Sequence, residues 1–309
     1  MNGVVIVDKP AGMTSHDVVQ RVRRAAGTSR VGHAGTLDPM ATGVLVVMIG
    51  EATKLGPYLT ASDKAYRARV QLGAATDTLD AEGQVTASAP LPAWWSGPET
   101  AERIELALAG ERARSEQIPP QVSAIKIDGR PAHARARRGE TVTLEPRTVT
   151  VHELALLAFD ASGSVDLTLQ TSKGYYVRAL ARDLGEALGC PAHLTALRRT
   201  ASGPFAIERA RPLAALVGAT RGDDEALREA LIDLPHAAAL ALPVGTLTAE
   251  GVRKARAGQV LDDHHFHTPP EVRPYGGAIC PSGWIDDAGR LVAIGVINDG
   301  KYMVLRGFS

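Results

Sequence analysis

The chain reads as an α+β protein in two parts, and three observations carry that reading. Two segments, 65–72 and 164–170, alternate apolar and polar residues as half-buried strands do. Two others, 14–27 and 177–189, repeat apolar residues at helical spacing and close on a glycine. Near residue 235 the composition turns to alanine, leucine and proline, and beyond it come short apolar runs separated by turns. With 309 residues there is room for one large domain and one small, β-rich one.

Residues 3–7, Gly-Val-Val-Ile-Val, predict a short buried strand ended by the turn Asp8-Lys9-Pro10-Ala11-Gly12. Thr14 is placed to cap the next helix, Asp17 completes a capping box, Val18, Val22 and Ala25 form the apolar stripe, and Gly27 closes it. Residues 43–49 are an apolar run of strand length, and 51–55 start a short helix. In 65–72, Tyr66, Ala68, Val70 and Leu72 point one way while Arg67, Arg69 and Gln71 point the other. Residues 86–98, rich in Ala, Pro and Ser with Trp94-Trp95, predict an irregular connection before a helix at about 99–109.

Val165, Leu167 and Leu169 alternate with Asp166, Thr168 and Gln170 in the next strand. The helix after it sets Val177, Leu180, Leu184 and Leu188 on one stripe, with Arg178 just off that stripe near its start. A domain boundary is expected near 235, with an Ala/Leu/Pro-rich connection to 245. Thr248 then caps a short helix over 249–257, and Ala278-Ile279, 291–297 and Met303-Val304-Leu305 read as short strands.

Hydrophobic residues make up 45% and charged residues 22% of the chain, the profile of an ordinary soluble globular protein. The longest apolar run, 43–49, is too short to span a bilayer, and Asp8-Lys9 interrupts the N-terminal apolar stretch where a signal peptide would continue. A cytoplasmic location and no membrane association are expected. Cys190 and Cys280 lie far apart without a CxxC spacing, so neither a disulfide framework nor a zinc site is indicated. GxxxxGK[ST], GxSxG and GxGxxG are absent, which removes the best-marked NTPase, hydrolase and dinucleotide readings. The run Asp262-Asp263-His264-His265-Phe266-His267 could hold a metal, but it lacks separated ligands and is read as a solvated loop; no metal is expected.

A formal net charge of zero is unusual for a nucleic-acid binder, but the charges are segregated. Arg21, Arg23, Arg24 and Arg30 lie in one acid-free stretch, and Arg130, Arg135, Arg137 and Arg138 in another. Such segregation lets a neutral protein present a basic face, although solvated helix faces account for either cluster alone about as well.

The stretch Gly32-His33-Ala34-Gly35-Thr36-Leu37-Asp38-Pro39-Met40-Ala41-Thr42-Gly43 is the centre of the sequence. Pro39 pushes Asp38 out of helical conformation, so the carboxylate sits on a loop, and the glycines permit close backbone approach. A lone Asp-Pro turn is the plainer reading; twelve residues of this composition abutting a buried strand favour an active-site loop. GHAGTLDPMATGVL resembles the catalytic motif of the pseudouridine synthases, most closely the bacterial tRNA pseudouridine-55 synthase (TruB-like) group. Four further stretches resemble motifs of that family: GVVIVDKPAGMTSHDVV at the N-terminus, KAYRARVQLG, SKGYYVRALARDLGEALG, and Leu194-Thr195-Ala196-Leu197-Arg198-Arg199. Residues 286–295 resemble the end of a PUA domain, a small β-rich RNA-binding module.

The resemblance implies a mixed or antiparallel-sheet catalytic domain over 1–235, with an RNA-gripping arm at about 112–147, and a PUA-like domain over 240–309. It implies isomerisation of the T-loop uridine at position 55 of tRNA to pseudouridine, without a cofactor. Asp38 is then the catalytic nucleophile or base, and Arg178 pairs with it. Tyr66 and Tyr176 wall the uracil and Leu197 packs on it, while His33 fills or grips the site that the flipped base leaves. Arg130, Arg135, Arg137 and Arg138 contact phosphates, and the PUA-like domain reaches the acceptor stem; tRNA is the partner, and no protein partner is implied. The arm departs from the family pattern, with Gln121-Val122 in place of Met-Tyr and Ala132-His133 in place of Leu-Tyr, so phosphate contact is expected there ahead of aromatic stacking.

Two rival readings are a non-catalytic tRNA-binding or folding protein, which has no need of the intact Asp38 motif, and a guide-RNA-dependent pseudouridine synthase, which lacks the arm. Three chemical routes stay open: attack of Asp38 on C6, attack on C1′, or removal of the C2′ proton to form a glycal.

Overall fold

A computed structural model describes residues 1–122, 144–218, 224–272 and 281–308 in full, and the backbone alone at 126–127, 130–131, 274–275 and 278–279. They form two compact units, one of Met1–Leu37, Val44–Ala61 and Gly203–Ser309, the other of Asp38–Gly43 and Ser62–Ser202. The boundary expected at 235–240 falls within the first unit. The architecture is α+β with mixed sheets and a small β-rich C-terminal part, as the sequence predicts.

The second unit is built on an antiparallel sheet in the order Val151–Phe159, Ser164–Thr171, Lys64–Leu72, Ala192–Ser202, and Thr42 and Gly43 add a parallel pairing to Arg198 and Arg199. The Lys64–Leu72 strand follows its own alternation: Tyr66, Ala68, Val70 and Leu72 are buried, and Arg67 and Arg69 are exposed. Helix Val177–Leu188 buries the stripe Val177, Leu180, Leu184 and Leu188 and ends at Gly189 in the left-handed conformation, φ 69°. It packs on strand Ala192–Ser202 and on helix Thr100–Arg112. The Tyr175 hydroxyl donates to Glu111 Oε1 at 2.7 Å, tying the start of one helix to the end of the other.

The first unit carries helix Ser15–Ala26, with Thr14 and Asp17 forming the expected capping box and Gly27 closing it at φ 64°. Strand Val31–Ala34 pairs antiparallel with Val46–Ile49, and Gly3–Lys9 pairs with Arg211–Pro212 and with Ile232–Asp233. A five-stranded sheet follows in the order Phe266–Thr268, Val244–Leu247, Ser282–Ile285, Leu291–Asn298, Lys301–Gly307. Its core is the aromatic group Phe266, Trp284 and Tyr302, with ring centroids 4.6–6.1 Å apart. Gly295 makes room for it, since a Cβ there would lie 2.0 Å from the Trp284 ring.

The Ala/Leu/Pro-rich connection expected up to 245 contains a helix, Leu234–Ala241. Asp233 accepts from the backbone N–H of His236 at 2.9 Å, and Pro235 sits in the first turn, where its missing N–H costs nothing. Within the connection expected at 86–98, the strand Val85–Ser88 pairs with Ala74–Thr76. Strand Val151–Phe159 is not predicted, because two register irregularities interrupt its alternation.

Helix Val177–Leu188 lies close to the chain that follows it: a Cβ on Gly185 would stand 2.7 Å from both Ala192 Cβ and the Cys190 carbonyl. Helix propensity alone favours Gly185→Ala by about 1 kcal/mol, whereas overpacking a dense core costs roughly 1–3 kcal/mol. The packing term should win, so the variant should unfold at lower denaturant than the parent, as an equilibrium urea titration reads.

Candidate active site

Asp38 ends a segment fixed from within its own loop, where its carbonyl accepts from Ala41 N–H at 3.1 Å. Its carboxylate is about one-third exposed, at 32%. Arg178 holds it in a two-point fork, Nε donating to Oδ2 at 2.9 Å and Nη2 to Oδ1 at 3.1 Å. The same guanidinium donates from Nη1 to the Thr78 carbonyl at 2.8 Å and from Nη2 to the Val122 carbonyl at 3.0 Å. Asp80 Oδ2 lies 3.6 Å from its Nε. Arg178 is only 5% exposed, so one buried cation faces two carboxylates and two carbonyls.

The helix start that presents Arg178 is held by Gln117. Its side-chain oxygen accepts from Tyr176 N–H at 2.8 Å, and its amide donates to the Tyr176 carbonyl at 3.2 Å. This clamp replaces a side-chain cap, which the helix lacks. Asp80 is fixed by the Thr78 hydroxyl at 2.6 Å and by Glu82 N–H at 3.1 Å. Between them Leu79 sits at φ 63°, left-handed backbone that costs a non-glycine residue about 1–2 kcal/mol.

Across the sheet, Leu197 pairs with Ala68 and Arg199 with Tyr66, which puts all four on one face. Tyr66 and Leu197 are buried, and the Arg199 guanidinium donates to the Tyr66 hydroxyl. Burial pushes the Tyr66 phenol up, and Arg199 opposes that rise. Burial also pulls Arg199 down, opposed by Tyr66 and by the charge of Asp38. Lys64, two residues before Tyr66 and on its face, donates to the Ser62 carbonyl. Burial, with the charge of Arg199, brings its amine down to about 8, Lys173 adding to the fall and Asp63 opposing it.

Of the residues the sequence singles out, Asp38 and Arg178 are in direct contact, and Tyr66 and Leu197 share the face described above. Tyr176 is half-buried at the start of the arginine's helix. His33 belongs to the other unit, half-buried in strand Val31–Ala34 opposite Val47. Arg130 is described only as backbone, in the pairing of Arg130–Pro131 with Lys126–Ile127, and Arg135, Arg137 and Arg138 lie outside the described residues. Sequence reasoning missed Asp80, Gln117 and Arg199 as parts of the site. For Arg199 a signal existed: strand alternation sets it on the same side as Leu197, and an arginine on an apolar face asks for a reason.

The solvated loop expected at 262–267 is a short turn, Asp263–His265, with His265 buried. His265 Nδ1 accepts from Asp262 N–H at 3.0 Å, and the Asp262 carboxylate pairs with Lys301. Asp262, His264 and His265 each offer one ligand atom and these lie within 4.8 Å of one another, while the Nδ1 lone pair of His265 and one oxygen of Asp262 are already engaged.

Several solved structures resemble the whole chain. A chain of a Cbf5–Nop10–Gar1 complex matches with a TM-score of 0.73 at 24% identity, covering 99% of this chain and 84% of that one. A chain of an H/ACA RNP bound to a substrate RNA containing 2′-deoxyuridine matches with a TM-score of 0.71 at 23% identity, covering 99% and 85%. These likenesses define the fold class. The sequence matches are closer: residues 23–177 match the TruB family pseudouridylate synthase N-terminal domain, and residues 178–239 the tRNA pseudouridylate synthase B C-terminal domain. tRNA pseudouridine synthase B of Thermobifida fusca is 49% identical over 269 residues, covering 83% of this chain and 85% of the relative. That of Corynebacterium aurimucosum is 46% identical over 285 residues, covering 90% and 91%. The chain belongs to the TruB family of pseudouridylate synthases.

The depressed Lys64 amine has a thermodynamic consequence. Between pH 8 and about 10.5 the unfolded chain holds the proton that the folded chain has lost, so this lysine makes stability rise with pH across that window. Below pH 8 the folded state carries the whole cost of the buried charge. The stability of Lys64→Met relative to the parent should therefore be highest below pH 8 and fall as pH rises towards 10.5. Denaturation curves of both proteins at a series of pH values check this.

Proposed function

We propose that the protein is a tRNA pseudouridine synthase that converts the T-loop uridine at position 55 to pseudouridine, with Asp38 as the catalytic carboxylate. The observation that carries this reading is the two-point fork from buried Arg178 to Asp38, inside a chain of the TruB family. The reaction breaks the C1′–N1 bond, turns the uracil and forms C1′–C5, while the C5 proton leaves and N1 gains one. It is balanced without oxidant, reductant or energy source, so no cofactor is called for. Asp38 acts as nucleophile or base; the Arg178 fork fixes the direction of both oxygens and compensates their charge.

Tyr66 and Tyr176 wall the uracil and Leu197 packs against it. The target base is stacked in the folded T-loop and must be flipped out, and His33 is the group that takes up or grips the site it leaves. The arm arginines 130, 135, 137 and 138 meet phosphates of the T-arm, and residues 240–309 form a PUA-like module that reaches the acceptor stem. The action is cytoplasmic, where tRNA is made and used; among the described residues no helix is long and apolar enough to cross a membrane.

Incubating the purified protein with unmodified tRNA transcript and mapping pseudouridine tests the reading, with product expected at position 55 alone. Asp38→Asn should keep tRNA affinity, since the amide keeps the shape, and lose turnover by on the order of 10⁴-fold or more. Binding retained with turnover also retained would remove Asp38 from the chemistry.

Changing Arg130, Arg135, Arg137 and Arg138 together to Gln should weaken tRNA binding and flatten its salt dependence, each lost phosphate contact lowering the log–log slope by roughly 0.7–0.9. Single-turnover chemistry at saturating tRNA should change little. A salt titration of binding reads the result, and parallel lines of equal slope would assign the RNA surface elsewhere.

A further inference from the structure

Arg199 is the buried charge that the pairing of Asp38 with Arg178 leaves unexplained. It is 1% exposed, and taking a guanidinium out of water is expensive unless its donors are used. A hydrophobic side chain of similar volume would fill the same space without that cost. The residue lies directly opposite Tyr66 in the antiparallel pairing and donates to its hydroxyl. Both Tyr66 and Arg199 feel the charge of Asp38.

The backbone of Arg199 makes a second connection. Gly43, the last residue of the segment that carries Asp38, pairs with it, and Thr42 pairs with Arg198. Gly43 stands at φ 98°, and a Cβ there would lie 2.2 Å from the Arg199 carbonyl oxygen, an approach only glycine allows. Thr42 Oγ1 accepts from Arg198 Nη1 at 3.3 Å, which reinforces the same junction. One residue therefore touches the tyrosine through its side chain and the aspartate's loop through its backbone.

We propose that Arg199 is a positioning residue of the active site, fixing the Tyr66 hydroxyl while its backbone fixes the end of the Asp38 loop, so that ring and carboxylate keep one separation around the target uracil. The inference rests on the function proposed above and adds a residue to it. Arginine suits the task because its planar fork, unlike an ammonium, holds a partner in a fixed direction. Arg199 makes its contribution through Tyr66, so its effect should vanish when the hydroxyl is gone.

The experiment compares parent, Arg199→Met, Arg199→Lys, Tyr66→Phe and the Tyr66→Phe/Arg199→Met double variant by single-turnover rate at saturating tRNA transcript, by tRNA affinity and by thermal melting. Arg199→Met should lower the chemical step by roughly a hundredfold, the scale of a misplaced reacting group, with affinity within about twofold. In the Tyr66→Phe background the same change should cost less than about threefold. The absorbance titration of Tyr66, taken as the difference from the Tyr66→Phe protein, should move to higher pH in Arg199→Met, because the guanidinium that favours phenolate is gone. Should Arg199→Met fail to fold, Arg199→Lys carries the comparison: a rate loss and a Tyr66 shift of the same sign support the proposal. Rates within threefold of parent, or equal losses in both backgrounds, would overturn it. Absence of pseudouridine with the parent protein would instead overturn the proposed function, so the two failures are distinct.

Discussion

A single guanidinium taken out of water sets the terms for the site. Arg178 can be buried only if its donors are used, and they are used by three separate parts of the chain: the Asp38 loop, the turn at 78–80 and Val122. Removing one partner of such a network leaves an uncompensated buried charge, at a cost of roughly 3–5 kcal/mol. The segments are thus tied to one another through a shared electrostatic obligation as well as through packing. Arginine rather than lysine fits because two parallel N–H groups match two carboxylate oxygens.

The turn at 78–80 bears the strain this convergence demands. Leu79 holds a positive φ because its neighbours leave no alternative: its N–H bonds the Thr76 carbonyl, Leu194 N–H bonds its own carbonyl, and the Thr76 hydroxyl bonds the Asp80 carbonyl at 2.7 Å. The result directs the Thr78 carbonyl and the Asp80 carboxylate at the same guanidinium. A local cost of about 1–2 kcal/mol is small beside the cost of leaving that cation unpaired.

Much of the fold was legible where one face of an element is buried and the other is wet. Strand Lys64–Leu72 and helix Val177–Leu188 carry that contrast in their spacing, and Thr14, Asp17 and Gly27 carry the ends of their helix in capping chemistry. Helix Leu234–Ala241 was not legible, because proline and an alanine-rich run look the same in a connection and in a first helical turn. Strand Val151–Phe159 was hidden by its register irregularities. In the site, Asp38 stood out through its loop composition, and the family resemblance drew attention to Arg178. Asp80, Gln117 and Arg199 depend on contacts 59 or more positions apart in sequence, or across a sheet register, and neither distance nor register is written locally.

The separation of Asp38 from Arg178, 140 positions, also fixes an order in time. Synthesis runs at about 5–20 residues per second, so the carboxylate is made roughly 7–28 s before its partner exists. Strand Lys64–Leu72 waits almost as long for its second neighbour, Ala192–Ser202. Until then the emerging chain presents a glycine-rich loop with an unpartnered acid and an unfilled sheet edge, the condition in which strands find wrong neighbours. An interrupted chain ending before residue 178 can display the whole motif that marks the family and still have no assembled site, because the cation that holds the carboxylate has not been made.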